Sequence, residues 1–166
     1  PVCRTEGNEM KPSFGVLSMN FPSNRVVFQE ALFKEIGWDD LIGNPDYVNT
    51  CAIRMSLALI KSSVAVRGRM AIKKGPHKGQ LIEPGQAKLA YMVAEAAYFG
   101  EPEKFKTAIA VAGIGARQGV VAFWKIPGYV GGNGGHIDIV SAVQSVVACG
   151  SDCYFESSEV WSWPLG

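Results

Sequence analysis

Helical spacing of apolar side chains runs through this chain as far as Gly100, and short β-rich runs take over beyond Gly119, with almost no mixing of the two. A chain segregated in this way does not supply the alternating strand and helix units of a doubly wound fold. It is expected to fold as α+β, with N-terminal helices packed on a C-terminal antiparallel sheet. Pro12-Ser13 ahead of Phe14-Gly15-Val16-Leu17 predicts a short helix ended by Pro22. A second helix is predicted over Val27 to Ile36, with Phe28, Leu32 and Ile36 on its apolar face. After the break at Gly43-Asn44-Pro45, Val48 to Ser62 reads as a largely buried central helix capped by Asn49 or Thr50. Gln86 to Ala97 has the propensity of a strong helix stopped near Gly100, and a shorter helix is expected after Pro102. The predicted strands are Gly119 to Ile126, Gly135 to Val140, Asp152 to Phe155 and Val160 to Trp163.

With 166 residues, 48% of them apolar and 19% charged, the chain can bury one sizeable core, so residues 1–166 are read as a single domain. A net charge of +1 leaves no global field for nucleic acid, yet residues 52–88 hold eight basic and one acidic group. Those charges gather around Gly75-Pro76-His77-Lys78-Gly79, an exposed turn or hairpin tip that is either a solvated loop or a surface for an anionic polymer or acidic protein. No apolar run reaches the roughly 18–20 residues of a membrane span, and Pro1-Val2-Cys3-Arg4 does not begin a secretory signal.

Four cysteines are too few for a disulfide scaffold, so each is read separately. Cys149 and Cys153 bracket Gly-Ser-Asp and are expected to be bridged, which implies an oxidising compartment; Cys3 has no obvious partner. Cys51 falls in the first turn of the central helix, where unpaired backbone N–H groups favour an anionic nucleophile. His136 opens a strand directly after the glycine-rich stretch Gly128 to Gly135, placing an imidazole beside a mobile loop. A cysteine on a helix start followed by a histidine on a strand resembles the chain order of papain-like enzymes, with His136 taking the thiol proton. A third group must orient the imidazole. Asp152, in a neighbouring strand of a hairpin, is preferred; Ser151 and Asp138 are the alternatives. Arg54, one turn beyond Cys51, either contacts a substrate carboxylate or anchors the helix through an ion pair. Zinc on Cys51, His136, Cys149 and Cys153 matches no common ligand spacing, so no metal and no cofactor is expected. Gly113 to Gly119 lacks the order of a dinucleotide fingerprint and reads as a turn.

Asn49-Thr50-Cys51-Ala52-Ile53-Arg54-Met55, Gly135-His136-Ile137-Asp138 and Cys149 to Cys153 ahead of Tyr154-Phe155 together resemble the fourth family of type VI secretion amidase effectors. Lys11-Pro12-Ser13-Phe14 and Asn20-Phe21-Pro22 are similar to that family's opening. The resemblance implies a minimal papain-like cell-wall cysteine peptidase fold. It implies a toxin delivered by the type VI secretion apparatus into a recipient cell's periplasm, hydrolysing peptidoglycan stem peptides at the γ-D-glutamyl–meso-diaminopimelic acid bond, and opposed by a cognate immunity protein. Cys51 matches the family nucleophile and His136 the family base, whereas the family's acid lies between the paired cysteines, where this chain has Ser151 and Asp152. The competing readings are a non-catalytic peptidoglycan-binding module and a thiol redox protein using Cys149 and Cys153.

Overall fold

The computed structural model describes residues 11–166, so the expectations for Cys3 and for the first residues lie outside the described part. Ser13 Oγ accepts the N–H of Val16 and opens α1 (Phe14–Asn20). α2 (Gln29–Ile36) ends at Gly37, whose positive φ lets its N–H fold back onto Phe33 and Lys34. Leu32 and Ile36 are buried as the spacing predicts, but Phe28 sits at the cap instead of the apolar face and is 69% exposed. α3 (Cys51–Lys61) begins at Cys51 instead of Val48, because Pro45–Tyr47 takes a 3-10 turn and Thr50 is not yet helical. Every residue from Cys51 to Ile60 is buried, which makes α3 the centre of the molecule.

The basic segment forms a hairpin of β1 (Met70–Ala71) and β2 (Leu81–Ile82), with Lys73, Lys74 and Lys78 between the strands. Two of its charges serve the fold: Arg67 pairs with Glu95, and Arg69 forks onto the buried Glu83 through two bonds of 2.8 Å. α4 (Gln86–Val93) stops short of Ala97 because the chain turns back, Phe99 N–H donating to Val93 O. A strand, β3 (Glu103–Lys106), precedes the helix expected after Pro102, which is α5 (Thr107–Ile114). Gly113 and Ile114 belong to α5, so the turn is confined to residues 115–118.

The remaining strands are β4 (Gly119–Ile126), β5 (Gly134–Val143), β6 (Val146–Cys149) and β7 (Glu159–Pro164). They complete a five-stranded sheet of order β3-β7-β4-β5-β6, antiparallel throughout. One face, carrying Val120, Ala122, Ile137, Trp161 and Trp163, packs on the first four helices. The other, carrying Val121, Phe123, Val140 and Val160, is covered by Ala110 and Ile114 of α5 and by Tyr154 and Phe155. The strand expected at Asp152 to Phe155 does not form. Gln144 and Ser145, both at positive φ, make a two-residue turn, and the strand that follows is β6, which ends before that segment. The chain then loops through the Cys149–Cys153 bridge, whose Cα atoms are 5.3 Å apart. A ring this small restrains the unfolded chain by about 2 kcal/mol. Among the described residues no helix is long and apolar enough to cross a membrane, and no group of three or more His, Cys, Asp or Glu is placed to hold a metal ion.

Candidate active site

β5 pairs with β4 from Gly134 to Val140 but with β6 only from Val140 to Val143. Ahead of Val140 its outer side therefore has no neighbouring strand. The start of α3 and the disulfide loop close on that gap and leave a cleft of about 200 Å³ lined by Cys51 and His136.

Cys51 is the first residue of α3, 6% exposed, and its N–H donates to Asn49 Oδ1 at 3.2 Å. Among the described residues it is the one free cysteine. His136 lies two places into β5 and is 8% exposed, stacked on Phe123 at 6.1 Å between centroids and met edge-on by Tyr154 at 5.0 Å. Its Nε2 is 2.8 Å from Asp138 Oδ2. That leaves Nδ1 for the thiol. Burial pushes the imidazole pKa down, but hydrogen bonding to Asp138 and to the Cys51 thiol outweighs it and raises the value to about 9. The Asp138 carboxylate thus favours the protonated ring.

The acid beside the imidazole is Asp138, not Asp152. Successive residues of a strand on one face have Cα atoms about 7 Å apart, a gap two side chains span easily. The preference for Asp152 required a strand at residues 152–155 that is absent. Asp138 is fully buried, and its carboxylate accepts N–H bonds from Ile139 (2.8 Å), Ser151 (2.9 Å) and Asp152 (3.0 Å) besides the imidazole. The Asp152 carboxylate instead takes Asn24 Nδ2 at 3.2 Å, and Ser151 Oγ accepts the Asn24 N–H at 3.1 Å. Both residues proposed between the cysteines thus bond the Asp138 carboxylate through their backbone N–H groups.

Arg54 borders the cleft, but three of its bonds are structural: Nε to Thr50 Oγ1 (2.8 Å) and Nη1 to the carbonyls of Pro22 (2.8 Å) and Val27 (2.5 Å). It anchors α3 through carbonyls and not through an ion pair. Asn24, Asn49, Tyr129 and Tyr154 also line the cleft; none was named from the sequence as a site residue, Asn49 being read as a helix cap and Tyr154 as part of a motif. Tyr129 leads into the short turn Val130–Gly132 of the glycine-rich loop, and its hydroxyl meets that of Tyr154 at 2.9 Å. Burial, then the bond to Tyr129, pushes the Tyr154 phenol pKa up. His77 stays on the basic hairpin, outside the cleft.

The sequence profile of the family described as type VI secretion system (T6SS), amidase effector protein 4, Tae4, matches residues 47–163, a span holding Cys51, His136, Asp138 and both bridged cysteines. The chain belongs to this family. Its fold is shared with the Tae4 effector from Enterobacter cloacae, at 18% identity and a TM-score of 0.72 over 94% of this chain and 98% of that one. It is shared equally with effectors in two complexes. One is the Tae4–Tai4 effector–immunity complex from Enterobacter cloacae, at 18% identity and TM-score 0.70, covering 94% and 99%. The other is the Tae4–Tai4 complex from Salmonella Typhimurium, at 15% and 0.72, covering 94% and 99%. No curated protein matches the chain. Membership makes this chain an amidase effector of type VI secretion.

Proposed function

We propose that this amidase effector cleaves peptidoglycan stem peptides at the γ-D-glutamyl–meso-diaminopimelic acid bond, with Cys51 as nucleophile, His136 as acid and base, and Asp138 as the orienting group. The observation that supports this most is that Cys51 and His136 line one cleft, with the Asp138 carboxylate on Nε2 of the imidazole and Nδ1 left free for the thiol. In the proposed reaction the Cys51 sulfur attacks the amide carbonyl and forms a tetrahedral oxyanion. Its collapse breaks the C–N bond as His136 passes its proton to the departing amine, leaving a thioester on Cys51. Water, deprotonated by His136, then attacks the thioester and expels the Cys51 sulfur, releasing the carboxylate product and leaving the imidazole protonated as it began. The Cys51 N–H, at a helix start, is the donor best placed for the oxyanion once it leaves Asn49.

The relatives crystallised with Tai4 support a cognate immunity protein as the partner here. Family membership supports delivery by the type VI apparatus, and the bridged cysteines suit work in the oxidising periplasm of a recipient cell. Mass spectrometry of purified peptidoglycan after digestion tests the reading. The wild type should release fragments ending in γ-D-glutamate with new diaminopimelate amino termini, and Cys51→Ala should release none. Equal digestion by both proteins would remove the cysteine mechanism, and cleavage at another bond would remove the substrate assignment. Binding without digestion by either would return the chain to a binding module, and thiol–disulfide exchange through Cys149 and Cys153 without digestion to a redox protein.

A further inference from the structure

We infer that the Cys149–Cys153 bridge is a positioning device for catalysis: it holds the two backbone N–H groups, of Ser151 and Asp152, that fix the Asp138 carboxylate against His136. The inference rests on the cysteine amidase reading above. Of the three backbone donors on Asp138, one comes from its own strand neighbour Ile139, and two come from inside the bridged ring, from residues 13 and 14 places further along the chain. Nothing local obliges those two amides to point at Asp138. The ring does, because its ends are joined covalently and its first residue, Cys149, is paired in β6 opposite Val140 of β5.

The approach is close. A Cβ on Gly150 would lie 2.9 Å from Asp138 Oδ1 and 2.6 Å from Ile139 Cγ1, so the ring is pressed onto the carboxylate at a residue with no side chain. Gly150 N–H also donates to Ile139 O at 3.1 Å. The other ties on the ring are single bonds to the loop after α1: Ser23 Oγ to Gly150 O, Asn24 N to Ser151 Oγ and Asn24 Nδ2 to Asp152 Oδ2. Two of these bonds are between neutral groups, and the third, to the Asp152 carboxylate, is long and solvent-exposed, so each contributes little. With the bridge open they slow the ring's departure but do not set its conformation. Asp138 then keeps one backbone donor of three and can rotate off Nε2, so the imidazole loses its orientation while the cleft stays formed.

The bridge thus belongs with the orienting acid, and the chain's amidase activity depends on thiol oxidation at a site distinct from the nucleophile. The test measures kcat and KM on a soluble muropeptide for the wild type, with and without phosphine reductant, and for Cys149→Ala/Cys153→Ala, each also in an Asp138→Asn background. Opening the bridge by either route should lower kcat about 10- to 100-fold with KM within about twofold. In the Asp138→Asn background the same change should cost less than about threefold, since both act on one unit. The reductant should leave the double cysteine variant unaffected. Equal losses in the two backgrounds, or unchanged kcat with only a lower melting temperature, would overturn the inference. Because the reductant acts on folded wild type, misfolding of the double variant does not decide the outcome. A Cys51→Ala control with wild-type turnover would sink the amidase reading instead.

Discussion

The two walls of the cleft are built in different ways. The α3 wall is local: Cys51 is placed by the first turn of a helix whose residues are buried all round, and its N–H is met by Asn49 two residues earlier. The β5 wall is assembled from distant parts. Asp138 is fixed by amides from beyond the β6 hairpin, and those are tied to Asn24 across 127 and 128 positions of sequence. The Cys51 thiol is therefore held by secondary structure and the Asp138 carboxylate by tertiary structure. Damage far from the cleft should reach the Asp138 carboxylate before it reaches the Cys51 thiol.

The sharpest break of this contrast is at the acid. Asp138→Asn should lower kcat about 10³-fold by misdirecting the imidazole tautomer, while Asp152→Asn, whose carboxylate only meets Asn24, should stay within about threefold. The reverse order in parallel kinetics would restore Asp152 as the orienting acid. Next in size is Arg54→Met, which orphans the Pro22 and Val27 carbonyls and frees the strut between α3 and the loop after α1. A loss of about 2–4 kcal/mol in urea denaturation is expected; a change under about 0.5 kcal/mol would show that the strut carries no stability. Gly150→Ala presses a methyl group onto Asp138 and should lower kcat about tenfold with the disulfide intact; wild-type turnover would mean that the ring is not held close in solution.

The smallest effect is on stability against pH. Folding raises His136 from its ordinary 6.5 to about 9, so the stabilisation from its pairing is complete below about pH 6.5 and is lost as pH rises through about 9. The difference in denaturation midpoint between wild type and His136→Gln should shrink across that window. A constant difference would mean that the imidazole is not held protonated.

The contrast also marks what the chain discloses before it is folded. Cys51 and His136 are legible because their signals are neighbours in sequence: polar residues before a buried helix, and a glycine run before a β-rich segment. The pairing of Cys149 with Cys153 is legible for the same reason. Asp138 was an alternative for the third group but not the preferred one, since its place beside His136 and the ring amides turns on the Gln144-Ser145 turn, which adopts positive φ without glycine or asparagine and starts β6 early. Strand β3 was missed because Glu103–Lys106 has a weak β signal and gains its state by pairing with β7, a tertiary choice that local propensity does not announce. Asn24 carries no motif at all; only the folded chain puts it beside residues 151 and 152.

The strut from Pro22 to Val27 also bears on the order in which the molecule matures. It joins Arg54 of α3 to the ring after β6, so the cleft exists only when segments more than 120 residues apart have met. Contacts of such span form late, because the closure entropy of the long intervening chain opposes them until the sheet is in place. By the mechanism proposed above, an unfolded or half-folded chain is an inert one: α3 can form alone with its thiol at the helix start and still have no imidazole or carboxylate beside it. Activity is expected to be the last property this polypeptide acquires on folding and the first it gives up.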